Sequence, residues 1–119
     1  MRKYTEDHEW LEIDGNIATV GITEHATTQL GDLVYVELPD IDDEVSTGDE
    51  VVVIESVKAA GEVLAPCNGR IAEVNTALAD DPEIVSNTPE SDGWLFKLQI
   101  SDLSDIESML DREAYEKLI

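Results

Sequence analysis

Between Lys3 and Arg70 the chain has a single basic residue, Lys58. A primary amine isolated among acids can remain a solvated cation, or it can act as a nucleophile that takes up an acyl group as an amide. Its neighbours Ser56, Ala59, Ala60 and Gly61 are small, which leaves the ammonium open to solvent and to another protein's active site. Spacing alone keeps both readings. One is a turn lysine loosely paired with Glu55, worth at most ~1 kcal/mol; the other is a modified lysine, on a short motif of low specificity. The remaining reactive side chains lead less far. His8, His25 and Cys67 show no metal-ligand spacing, so no metal site is expected. Cys67, directly after Pro66, reads as a small filler rather than a redox thiol. Trp10, Trp94 and Phe96 read as core anchors. The acidic run Asp40 to Glu44 reads as a solvated loop without the ordered spacing of a calcium loop. No nucleophile–base pair or phosphate loop stands out, so independent catalysis is not expected.

Short strands separated by turns must hold Lys58 out. Val51 to Ile54 is β-branched throughout and predicts a strand, with Glu62 to Ala65 as the next. Lys58 between them falls at the tip of a hairpin spanning about 51–65. Residues 10–20 predict two strands about Asp14-Gly15-Asn16, with Trp10, Ile13, Ile17 and Val20 turned inward. Thr23 to Leu30 predicts a short helix stopped by Gly31, with Ile22, Ala26 and Leu30 at helical spacing. Further strands are expected over 33–38, 70–74 and 94–100, and a helix is expected to start at Asp81-Pro82. Ser104 and Glu107 form a capping-box pair, and Ile106, Leu110, Ala114 and Leu118 recur every four residues. Together they predict one C-terminal helix over about 104–118. The pattern is mostly β, a small barrel or sandwich with helical decoration.

A length of 119 residues fits one domain, 1–119, able to bury a core without disulfides or metal. Twenty-eight acids against seven bases give a formal net charge of −21, which disfavours nucleic acid and anionic membrane as partners. The same charge serves solubility or a salty cytoplasm, and equally steers the chain toward partners with basic docking faces. No apolar run approaches the ~20 residues of a membrane span. The start, Met1-Arg2-Lys3-Tyr4-Thr5-Glu6-Asp7, turns acidic at once and reads as neither a secretory nor a transit signal, so a cytoplasmic setting is expected.

Glu55-Ser56-Val57-Lys58-Ala59 resembles the lipoylation motif of glycine cleavage H proteins. The resemblance continues in His8-Glu9-Trp10, in Val20 to Thr23, in Leu30-Gly31-Asp32 leading into Val36 to Pro39, and in Ala65-Pro66. It extends through Val74-Asn75 and Asp92 to Lys97 to the acidic C-terminal helix. It implies a barrel-sandwich hybrid of the lipoyl/biotinyl type, and lipoate joined as an amide to Lys58. It implies a non-catalytic, monomeric carrier in glycine catabolism, whose swinging arm takes an aminomethyl group from glycine decarboxylase to an aminomethyltransferase. Electrons then pass to dihydrolipoamide dehydrogenase, and a lipoate ligase or lipoyltransferase attaches the arm. By the same resemblance Glu9 lines the cleft that receives the loaded arm, and Glu62 stands where an Asp is common. Three features depart from the family pattern: Gly61-Glu62, Cys67 in a usually aliphatic position, and Arg70 in an often acidic one. Two alternatives stand beside this reading: in a different class, a lipoyl donor in a lipoylation relay, and within the carrier class, a lipoyl domain of a 2-oxoacid dehydrogenase. The latter usually has Asp where Val57 stands.

Overall fold

In the first hairpin, neighbouring residues Trp10 and Leu11 are both buried. Side chains alternate across a strand, so this sheet is covered on both faces. The computed structural model describes all 119 residues, Met1–Ile119. Strands β1 (Arg2–Tyr4), β2 (Glu9–Asp14) and β3 (Ile17–Ile22) lead into helix α1 (Glu24–Leu30). Then come β4 (Leu33–Glu37), β5 (Glu44–Val45), β6 (Glu50–Ser56), β7 (Ala60–Leu64) and β8 (Gly69–Val74). Helices α2 (Ala77–Asp80) and α3 (Glu83–Asn87), strand β9 (Phe96–Ile100), and helices α4 (Ser104–Glu107) and α5 (Arg112–Leu118) complete the chain.

The strands form two antiparallel sheets, β1-β2-β3-β9-β8-β5 and β4-β6-β7. This is the mostly β, barrel-sandwich architecture expected from the sequence. Inward residues of both sheets, among them Leu11, Val20, Val52, Ile54, Ile71 and Leu98, join one core of 18 buried residues. Within β6 the alternation is visible: Val52 and Ile54 are buried, while Val51 and Val53 are half-buried. A smaller cluster, Tyr4, Trp10 and Tyr115, packs on the other face of the large sheet. There the Tyr4 and Tyr115 rings stack at 4.9 Å, and Trp10 Nε1 donates to the Pro89 carbonyl at 2.8 Å. Arg70, which departs from the family pattern, forms an ion pair with Asp42 at 3.6 Å and donates to Gln99 at 2.7 Å. It thereby ties the acidic loop to β8 and β9. No helix is long and apolar enough to cross a membrane.

The C-terminal helix predicted over 104–118 is two helices. Leu110 gives its backbone to Tyr4 instead: Tyr4 N donates to Leu110 O at 2.7 Å, and Leu110 N to Tyr4 O at 2.9 Å. The chain cannot stay helical through that pairing. It restarts at Asp111, whose carboxylate caps α5 by accepting from Ala114 N at 2.8 Å. The capping box is also absent. Leu103 holds the cap position, and Ser104 N and Oγ donate to Asp102 Oδ1 at 3.0 and 2.7 Å. With the helix broken, the four-residue spacing no longer runs along one face: Leu118 is 50% exposed, and Tyr115 is the residue buried.

Candidate functional site

Strands β6 and β7 form a tight hairpin whose tip is braced by one hydroxyl. Ser56 Oγ accepts from Lys58 N at 3.2 Å and Ala59 N at 3.0 Å, and donates to Ala59 O at 3.0 Å. The tip is tied sideways as well: Val57 N donates to Asp32 O, just past α1, at 3.1 Å. Lys58 is exposed on this braced turn and takes part in none of the ion pairs of the protein, so the pairing with Glu55 does not form.

The stem of Lys58 runs over Gly31. That residue ends α1 at φ +79°, where L side chains are strained. A Cβ added there would stand 3.3 Å from Lys58 Cε and 3.7 Å from Nζ. Gly31→Ala is therefore expected to cost about 1–3 kcal/mol of stability and to push the lysine stem aside. Denaturant melts of the two proteins check it.

Beside the hairpin lies a cleft of about 380 Å³. Ile22, Leu30, Ile54 and Val63 supply an apolar lining, and Glu9 and Glu62 both border it. Glu62 is exposed, whereas Glu9 is 2% exposed at the start of β2. The turn before Glu9 explains its inward placement. His8 N donates to Thr5 O at 3.1 Å, and His8 adopts φ +64°, an uncommon backbone for a side-chain-bearing residue. Glu9 Oε1 accepts from Thr5 Oγ1 at 3.1 Å, while Oε2 is buried with no partner. Burial pushes the Glu9 carboxyl up to about 8 against opposing hydrogen bonds from the Thr5 side chain and the Leu64 backbone, with the Asp7 charge adding to the rise.

Sequence reasoning named Lys58, Glu9 and Glu62. The fold brings the two acids to one cleft and sets Lys58 at the end of the strand pair that walls it. Sequence reasoning missed Thr5 and Asp7 and took Ser56 only as a small neighbour of Lys58, not as the brace of the turn; the small residues 56 and 59–61 were the signal that a tight tip was there. His8 and His25, unrelated by spacing, do meet, with ring centroids 4.8 Å apart. The His8 ring is engaged by Tyr115, Nδ1 to Oη 2.8 Å, and burial lowers its pKa, with His25 lowering it further. Cys67 packs within the main core, where burial raises its thiol to about 11, helped by the charges of Asp105 and Glu9.

A family model described as glycine cleavage H-protein matches residues 2–119. The chain belongs to that family. The glycine cleavage system H protein of Thermotoga maritima is 53% identical over 117 residues, covering 98% of this chain and 94% of that protein. That of Alteromonas mediterranea is 52% identical over 118 residues, covering 98% and 92%. A crystal structure of a glycine cleavage system H protein from Mycobacterium marinum superposes with a TM-score of 0.88 at 38% identity, covering 98% of this chain and 94% of that one. Family membership makes the protein a lipoyl-type carrier component of the glycine cleavage system, rather than a 2-oxoacid dehydrogenase lipoyl domain.

Proposed function

We propose that Lys58 holds lipoate through an amide on Nζ, and that the cleft bordered by Glu9 and Glu62 receives the far end of the arm. The observation that carries this reading is an exposed, unpaired primary amine on a doubly braced hairpin tip, next to a cleft with an apolar lining and acidic borders. The cleft fits such a group chemically. Its aliphatic residues suit a hydrocarbon chain, and the buried Glu9 Oε2, which lacks a hydrogen-bond partner, becomes an acceptor once an ammonium at the chain's end favours loss of the Glu9 proton. When bound, lipoate supplies a dithiolane whose sulfurs accept a one-carbon unit and a pair of electrons.

The residues of the chain then have distinct work. Ser56 and the Val57–Asp32 contact hold the tip still, so that the tether alone is mobile. The tether keeps its end near whichever active site has docked, at roughly millimolar local concentration. Ile22, Leu30, Ile54 and Val63 exclude water from an amine-bearing cargo, and Glu9 and Glu62 hold its ammonium. The protein is in this reading a cytoplasmic carrier, not a catalyst. It is served by glycine decarboxylase, aminomethyltransferase and dihydrolipoamide dehydrogenase, and is charged by a lipoate ligase or lipoyltransferase.

Incubation with lipoate ligase, lipoate and ATP should add one lipoyl increment to the intact mass, and peptide mapping should confine it to Lys58. Glycine-dependent CO2 release should then require this product together with the decarboxylase. An increment on another lysine, or none, would overturn the assignment.

A further inference from the structure

Beside Lys58 the chain turns hydrophobic side chains outward. In the β4–β6 ladder, Leu33 pairs with Ser56 and Tyr35 with Glu55, so Val34 is an extra residue on β4. This bulge lets Leu33 and Val36 both point into the core while Val34 and Tyr35 both face solvent. They are 54% and 45% exposed, and Val57, held against Asp32 at the same end of the ladder, is 68% exposed. Regular alternation would have hidden one of the pair. At the outer edge of β4, Leu33 N donates to Ser86 Oγ at 2.9 Å, which satisfies one backbone donor there. Asp32, Glu37 and Glu55 are exposed around them, and no base other than Lys58 lies between Lys3 and Arg70.

We propose that Val34, Tyr35 and Val57 form the docking patch for the enzyme that acylates Lys58, a partner with an apolar centre rimmed by Lys and Arg. The inference rests on the Lys58 reading and adds the surface that selects the lysine. In the acylation step the Nζ lone pair attacks an activated lipoyl carbonyl. The C–N bond forms, the bond to the leaving group (AMP in an ATP-dependent ligase) breaks, and Nζ loses a proton. Nζ must therefore enter the ligase active site, which brings the residues flanking the tip into contact with the enzyme. Enzymes that use the finished arm meet its sulfurs a long chain away from Nζ and have no such need. An aromatic residue among exposed apolar neighbours suits an interface centre, and the acidic surround suits a basic rim.

Steady-state lipoylation by purified lipoate ligase, with lipoate and ATP, tests the patch through the double variant Val34→Ser/Tyr35→Ser. The KM for the carrier should rise about ten-fold or more, the loss typical of truncated interface anchors. The kcat and the unfolding temperature should hold. Leu103→Ser, another exposed apolar residue, should change neither constant. Asp32→Asn/Glu37→Gln should raise KM at low salt and lose that effect at high salt. Failure of the wild-type chain to be lipoylated at Lys58 would sink the attachment reading itself. Wild-type modification with an unchanged KM in the double variant would overturn the docking patch alone. So would a fall in kcat at constant KM, or a wild-type dimer in sedimentation that the double variant abolishes.

Discussion

Lys58→Arg should reduce lipoyl attachment to background while leaving the fold untouched. An amide can form only on a neutral amine. Lysine reaches that state in an enzyme's active site, whereas a guanidinium stays protonated. The charge at the tip is kept, so any loss reports nucleophilicity rather than electrostatics. Nothing in the fold depends on the ammonium: Lys58 is exposed and outside every ion pair, and the tip hydrogen bonds use its backbone and the Ser56 hydroxyl. Surface changes of this kind stay within about 0.5 kcal/mol. None of the other three lysines stands on a hairpin tip: Lys3 is half-buried within β1, opposite Leu11. Lys97 pairs with Glu73 at 3.7 Å and lies over Trp94, and Lys117 pairs with Glu113 at 3.8 Å. Intact mass after ligase treatment, beside a thermal melt, decides the matter. A lipoyl increment on the arginine variant would remove Lys58 from its role.

The sequence reveals those parts of the fold that follow from local pattern. The β-branched run at 51–54 is a strand, though only Val52 and Ile54 are buried. Of the expected alternation Trp94, Phe96, Leu98, Ile100 the last three face the core, while half-buried Trp94 precedes the strand and Leu95, expected on the other face, is buried. Thr23 caps α1 and Gly31 ends it, because both devices act within one turn of the helix. What escapes is set by partners distant in sequence. The break in the C-terminal helix comes from Leu110 bonding to Tyr4, and no periodicity within 104–118 encodes that. Strand β1 exists because Arg2 to Tyr4 pair with Trp10 to Glu12, although the segment itself reads as polar. Strand β5 takes Glu44, the last residue of the acidic run, together with Val45 through pairing with β8. The bulge at Val34 is likewise invisible in an apolar stretch whose residues all suit a strand.

The site divides the same way. Lys58 stands out by charge alone, so it needs no fold to be noticed. Glu9 looks like any acid in a chain with 28 of them, and only the family resemblance singles it out. Its burial depends on His8 turning through φ +64° and on both faces of the large sheet being covered where β2 begins.

Glu9→Gln should make the protein more stable at alkaline pH and worse at keeping its cargo. The folded chain holds the Glu9 proton up to about pH 8, while the unfolded chain releases it near the ordinary value of 4.5. Between those values unfolding releases a proton, so stability is full below about pH 4.5 and is lost progressively as pH rises through 8. The accumulated cost is on the order of 5 kcal/mol. Glutamine cannot ionise, which removes this slope. At pH 5 and below the two proteins should agree within about 1 kcal/mol, the scale of one exchanged hydrogen bond. Above pH 8 the variant should be the more stable by roughly 2–5 kcal/mol. Denaturant melts across pH 4–9 measure the difference. The functional effect runs the other way. A buried carboxylate facing an ammonium is a charge-assisted contact worth about 1.5–3 kcal/mol. Its loss should therefore shorten the lifetime of the cargo-loaded carrier about ten- to hundred-fold. The partnerless Oε2 connects the two results: the empty fold carries a buried acid with one oxygen unsatisfied, and an incoming cation would both satisfy that oxygen and favour its charged form. A gain in alkaline stability with an unchanged loaded lifetime would leave Glu9 as a buried structural acid and shift the ammonium contact to Glu62. A pH profile as steep in the variant as in the wild type would show that another group titrates.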